Sequence, residues 1–226
     1  MKLIQHYDNM FNQSIGQISR GEIEIDQQID NDRDRRRGLT LLIRPNDEIK
    51  ARVGAFQDEL MKIDGVQYYQ PSSDLHVTAL SIISCYEGFD LSDIQIQDYE
   101  DIISQSLNDI PSTELKFKGI TASREAVLIQ GFPMGDGLEI LRDRLRSNFS
   151  SSALQQHIDS RYRLATAHMT SVRFRKELRS PDKFGTKLQD YRAAEFGEMK
   201  IESLELVYND WYQNSNIVKI LHRFAL

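Results

Sequence analysis

Ile4, Tyr7, Phe11, Ile15 and Ile18 recur three and four residues apart, a spacing that predicts an amphipathic helix at the start of the chain. Residues 38–45, GLTLLIRP, are β-rich, stop at Pro45 and read as a buried strand. Helical spacing returns over 46–63, where Ile49, Val53, Phe56 and Leu60 form a stripe behind an N-cap candidate, Asn46 or Asp47. VQYYQP, 66–71, is extended, and DLHVTALSIIS, 74–84, is the next strand. A second helix is expected over 91–109 with Ser92 as its cap, followed by strands in STELKFKGITAS and EAVLIQGF. A third helix is expected over 135–149, then a loop or partly helical arm in SSSALQQHIDSRYRLAT. AHMTSVRF, 167–174, is a strand, and a fourth helix opens at Pro181, where proline suits a first turn. MKIESLELVYND and NIVKILHRFAL read as one strand each.

Short strands interleaved with helices, paired mainly antiparallel, make an α+β protein, and two similar halves are a natural solution. The pattern divides the chain into an N-terminal helical and charged extension, 1–37, and a bilobal unit, 38–226. In DQQIDNDRDRRRG, aspartates interleave with Arg33, Arg35, Arg36 and Arg37, which reads as a solvated linker; the other reading has the arginines reaching a phosphate.

One feature occurs twice. LHVTAL carries His76 and Thr78, and AHMTSV carries His168 and Thr170. Side chains two apart in a strand share a face, so each run presents an imidazole beside a hydroxyl, with apolar neighbours on the opposite face. Imidazole titrates near neutral pH and can give or take a proton, and a hydroxyl can donate to a phosphoryl oxygen. Two such pairs facing one cleft suit in-line attack at phosphorus without a metal or other cofactor.

On these residues the chain resembles the 2H phosphoesterase superfamily, which includes RNA 2′,3′-cyclic phosphodiesterases and the so-called 2′-5′ RNA ligases. GLTLLIRP before a helix, then HVTAL, matches that family's opening pattern, and AHMTSVRF matches its second motif. The resemblance implies a two-lobed, pseudo-symmetric α+β fold, with antiparallel sheets lining a central cleft and helices outside. It implies catalytic roles for His76, Thr78, His168 and Thr170, with His168 as base for water and His76 as acid for the 2′ oxygen by resemblance to the cyclic phosphodiesterases. Other family members give the 2′-phosphate, so the product stays open between 2′- and 3′-phosphate. The implied reaction is hydrolysis of a 2′,3′-cyclic phosphate or a 2′-5′ linkage. The implied substrate is an RNA end or a small nucleotide. The alternative is a module that binds a nucleotide or RNA end in the same cleft without turnover.

Aromatic residues supply the candidates for base contact: Tyr68 and Tyr69, one on each face of their segment; Phe174; and Tyr208 and Trp211 in or beside a polar loop. Strict alternation puts Thr170, Val172 and Phe174 on the catalytic face and turns Arg173 away from it. GFPMGDG lacks the lysine of a P-loop and reads as a turn. Joining His157 to His76 and His168 as a zinc site fails on ligand spacing.

Composition narrows the partners. The 226 residues, 40% hydrophobic and 27% charged, suit one large domain or two small lobes. A net charge of −6 argues against an extended nucleic-acid surface while allowing a local phosphate site. The single cysteine, Cys85, makes no internal disulfide and reads as structural, which suits a reducing cytoplasm. No apolar run spans a bilayer, and the first residues have no signal-peptide pattern. Nothing in the sequence fixes an oligomeric state.

Overall fold

The computed structural model describes residues 3–226. Among the described residues, nine strands form two antiparallel sheets. The first sheet has the order β3-β1-β8-β9, with β1 at Arg36–Ile43, β3 at Val77–Glu87, β8 at Ser203–Asn209 and β9 at Lys219–Ala225. The second has the order β2-β6-β5-β4-β7: β2 Tyr68–Tyr69, β4 Glu114–Ala122, β5 Ala126–Met134, β6 Met169–Arg173 and β7 Glu195–Lys200. Each sheet therefore carries one His-x-Thr strand, and the expected two-lobed α+β architecture is present.

Three helices alternate with these strands as the apolar spacing predicts. α2, Asp47–Met61, buries Ile49, Val53, Phe56 and Leu60. Asn46 caps it, accepting the Ile49 N–H at 3.0 Å. α4 is Gly137–Ser150, and α5 is Pro181–Asp190 with proline in its first turn. The helix expected over 91–109 is interrupted. Asp90 caps a single 3₁₀ turn, Leu91–Asp93, through a reciprocal capping box, and α3 begins only at Ile96 and ends at Leu107. MKIESLELV is likewise divided. Its first part closes β7 in the second sheet, and after Ile201 and Glu202 the chain crosses to the first sheet as β8. α3 and α4 pack on each other and reach β9 and β3, whereas α2 packs against β6 and β7.

The N-terminal helix, α1, covers Leu3–Ile18 and buries Tyr7, Phe11, Ser14 and Ile18. It lies on the cleft side of the second sheet rather than outside it. Thr121 pairs with Leu128, and Leu128 with Thr170, so the three share a face. The Thr121 hydroxyl donates to Tyr7 O at 2.9 Å, and Ser14 Oγ donates to Ala122 O at 2.8 Å. The charged stretch after α1 is a fastened strap. Asp26 N–H donates to Phe174 O at 2.8 Å, Tyr212 Oη donates to the Asp26 carboxylate, and Asp30 pairs with Arg175. Its arginines bond their own loop: Arg36 with Asp34, Arg35 with Asp32 O and Arg37 with Asp34 O.

Candidate active site

Both His-x-Thr pairs open into one cavity of about 220 Å³ between the sheets. Thr40, Arg173, Asn209, Trp211 and Gln213 line it with them, together with His157, Arg161 and Tyr162 from the loop after α4. His76 enters just ahead of β3, between buried Leu75 and Val77. Its Nδ1 lies 2.7 Å from the Asp74 carbonyl. A carbonyl only accepts, so Nδ1 carries the proton and Nε2 is left for the cleft. His168 sits between buried Ala167 and Met169, and its Nδ1 is 2.8 Å from the Thr166 hydroxyl.

Enclosure lowers the pKa of both rings, to about 4. At His76 the bond to Asp74 O works the other way and favours the charged ring, while Arg44, His168 and Arg173 oppose it. At His168 every further influence, from Arg142, Arg173 and His6, disfavours the charge. The two imidazoles differ in their Nδ1 partner: a backbone carbonyl that favours the imidazolium at His76, and a hydroxyl at His168.

β6 departs from strict alternation, and this changes the site. Val127 pairs with Val172 and the next residue, Leu128, with Thr170, so Ser171 is an inserted bulge residue. Ser171 O accepts from the buried Gln57 side chain and from Gln70 N–H, both at 2.9 Å, which holds the bulge. Beyond it the faces exchange. Arg173, expected to point away, lines the cleft. Phe174, expected on the catalytic face, is 0% exposed and packs against Phe184. The Arg173 guanidinium lies 5.6 Å from the Tyr212 ring, and its Nε is buried with no hydrogen-bond partner among the described residues.

Of the aromatic candidates, only Trp211 lines the cavity. Arg36 and Arg161 lie over its ring at 5.3 and 4.6 Å from the centroid. Tyr68 packs beside Tyr212, at 6.1 Å between centroids. Tyr69 turns to the core and donates to Asp64 O at 2.7 Å. Tyr208 packs on Phe89, away from the cleft. Tyr69, Tyr208 and Phe174 are corrections to the sequence reading, because packing on the opposite faces claims those rings, whereas Tyr68 pairs with Arg173 and shares its face. Cys85 lines the cavity, and burial pushes its thiol up to about 12, so it stays protonated at neutral pH. His157 also lines the cavity, with its ring against Tyr86. Among the described residues no three His, Cys, Asp or Glu side chains are grouped as metal ligands.

The sequence reading missed Arg142. It stands on the apolar face of α4 with Leu138, Leu141, Leu145 and Phe149, and only 4% of its surface is exposed. A charged residue inside that stripe was the available signal.

No protein-family model matches the sequence, and no curated protein matches it. Solved structures do. TT0787 of Thermus thermophilus aligns with a TM-score of 0.60 at 14% identity, over 84% of this chain and 97% of that one. E. coli LigT in complex with 3′-AMP aligns with a TM-score of 0.56 at 16% identity, over 84% and 98%. The fold is that of LigT. ATU0111 of Agrobacterium tumefaciens, a conserved protein of unknown function, also aligns, with a TM-score of 0.52 at 13% identity over 92% of this chain and 97% of that one. LigT itself has been crystallised with 3′-AMP, ATP, NADP+ and phosphate. Among the described residues no helix is long and apolar enough to cross a membrane.

Proposed function

We propose that this protein is a phosphodiesterase that opens a 2′,3′-cyclic phosphate, or cleaves a 2′-5′ linkage, on a nucleotide or RNA end. The observation that carries the reading is the convergence of His76, Thr78, His168, Thr170 and Arg173 on one cavity within a LigT fold. The Thr78 and Thr170 hydroxyls donate to the non-bridging phosphoryl oxygens, and Arg173 neutralises their charge. His168, kept neutral by burial and then by the Arg142 and Arg173 charges, takes a proton from the attacking water at Nε2. The water oxygen bonds to phosphorus as the bond to the 2′ oxygen breaks. His76, protonated beside the incoming phosphate anion and steadied by Asp74 O, gives its Nε2 proton to that departing oxygen. The product in this sense of the reaction is a 3′-phosphate. Trp211 is the residue placed to stack on the base.

In this reading residues 1–37 are an addition to the bilobal unit, and the cytoplasm suits the free thiol. The test is turnover of cyclic mononucleotides by wild type, His76→Ala and His168→Ala, with nucleotide binding measured alongside. Loss of turnover by orders of magnitude with modest loss of binding supports two catalytic histidines. Tight binding without turnover by wild type would replace the enzyme with a binding module.

A further inference from the structure

The Arg142 guanidinium donates to three main-chain carbonyls. Nε reaches Ala79 O at 2.8 Å, and Nη2 reaches Thr78 O at 2.9 Å and Thr166 O at 2.8 Å. Thr78 belongs to the first His-x-Thr motif and Ala79 follows it. Thr166 lies two residues before His168, and its own hydroxyl meets the His168 ring. One side chain from α4 thus joins the motif strand of the first sheet to the approach to the motif strand of the second. Arg142 does not line the cavity and makes no ion pair with a carboxylate among the described residues. Burial, and Arg146 nearby, lower its pKa to about 10, so it stays a cation at neutral pH.

We infer that Arg142 is a positioning residue that sets the spacing and orientation of the two histidines across the cleft. The inference rests on the two-histidine reading above. Its physical basis is the planar fork: a guanidinium presents donors in fixed directions, so three acceptors bound to it cannot shift independently. A lysine keeps the charge but offers a point donor in place of the fork. A purely structural arginine would satisfy the same carbonyls, and its loss would show in stability alone.

The experiment compares wild type with Arg142→Lys and Arg142→Gln in the full chain. A third variant, Phe184→Leu, provides a loss of stability at a core site on α5. Turnover of a 2′,3′-cyclic mononucleotide, thermal unfolding and the imidazole ¹H–¹³C resonances are measured for each. The expected result for Arg142→Lys is a fall in kcat of about 100-fold, the scale of an ångström-level misplacement. KM should stay within about threefold, because Thr78, Thr170 and Arg173 still hold the phosphate. The His76 and His168 resonances should move while His222, paired with Glu100 on the surface, stays. Arg142→Gln gives the same split if lysine does not fold. Activity lost only in proportion to stability, as in Phe184→Leu, or unmoved His76 and His168 resonances, would overturn the inference. If wild type turns over none of the substrates, the phosphodiesterase reading falls, and the resonances still decide the role of Arg142.

Discussion

Arg173→Ala tests the consequence of the Ser171 bulge. The guanidinium lines the cleft beside both histidines, which in the proposed reaction places its terminal N–H groups to meet the substrate phosphate. A hydrogen bond to a charged group contributes about 1.5–3 kcal/mol. Its loss corresponds to about 10- to 150-fold weaker binding. The same charge disfavours the protonated form of both histidines, so its removal also raises both pKa values. The assay is KM and kcat across pH, with the Kd for a nucleoside monophosphate, for Arg173→Ala and Arg173→Lys. Alanine should raise KM and Kd together and move the acid limb of kcat/KM upward. Lysine should recover part of the affinity, since it keeps the charge but not the fork. A change in KM and Kd below about threefold, or about 0.7 kcal/mol, would refute the placement of Arg173 on the phosphate.

Three further outcomes follow from the same geometry. With both free-protein imidazoles near 4, kcat/KM should peak well below pH 6.5, while the bound phosphate anion raises the histidine pKa values and moves the kcat optimum upward; a kcat/KM optimum above neutrality contradicts this. Because the folded pKa values lie below the unfolded 6.5, the unfolded chain binds more protons between those limits, and stability drains as pH falls from 6.5 toward 4. Each histidine accounts for at most about 3 kcal/mol of that loss, less for the part of each ring open to the cleft. The double variant His76→Asn, His168→Asn should show a flatter Tm over that range, and an unchanged slope counts against the assignment. Trp211→Ala should weaken nucleotide binding by about 1–3 kcal/mol, with kcat nearly intact, if the indole carries the base; unchanged affinity removes it from the substrate site.

The parts of the site that follow simple periodicity were legible in the sequence. His76 and Thr78, and His168 and Thr170, are two residues apart in apolar runs, and the structure turns all four into one cavity. The stripe in α2 and its Asn46 cap were equally plain. What escaped the sequence depends on a second segment. The bulge at Ser171 is held by Gln57 and Gln70, and nothing within AHMTSVRF marks it, so counting by twos sent Arg173 outward and Phe174 inward. β propensity runs on through MKIESLELV, yet the chain changes sheets at Ile201 and Glu202. Helical spacing over 91–109 hid the reciprocal bonds of Asp90 and Asp93 that close off a separate turn. α1 read only as part of an N-terminal extension because only its own stripe was visible. The bond from the Thr121 hydroxyl to Tyr7 O and the bond from Ser14 Oγ to Ala122 O are tertiary.

The most direct measurement is hydrolysis by purified protein in the presence of a chelator. The panel is the four 2′,3′-cyclic nucleotides, a short RNA ending in a cyclic phosphate and a 2′-5′ oligoadenylate, with His76→Ala and His168→Ala beside wild type. The expected result is chelator-insensitive turnover of at least one substrate, abolished in both variants. Turnover that survives either substitution, or that is lost on chelation and restored by a divalent ion, would contradict it.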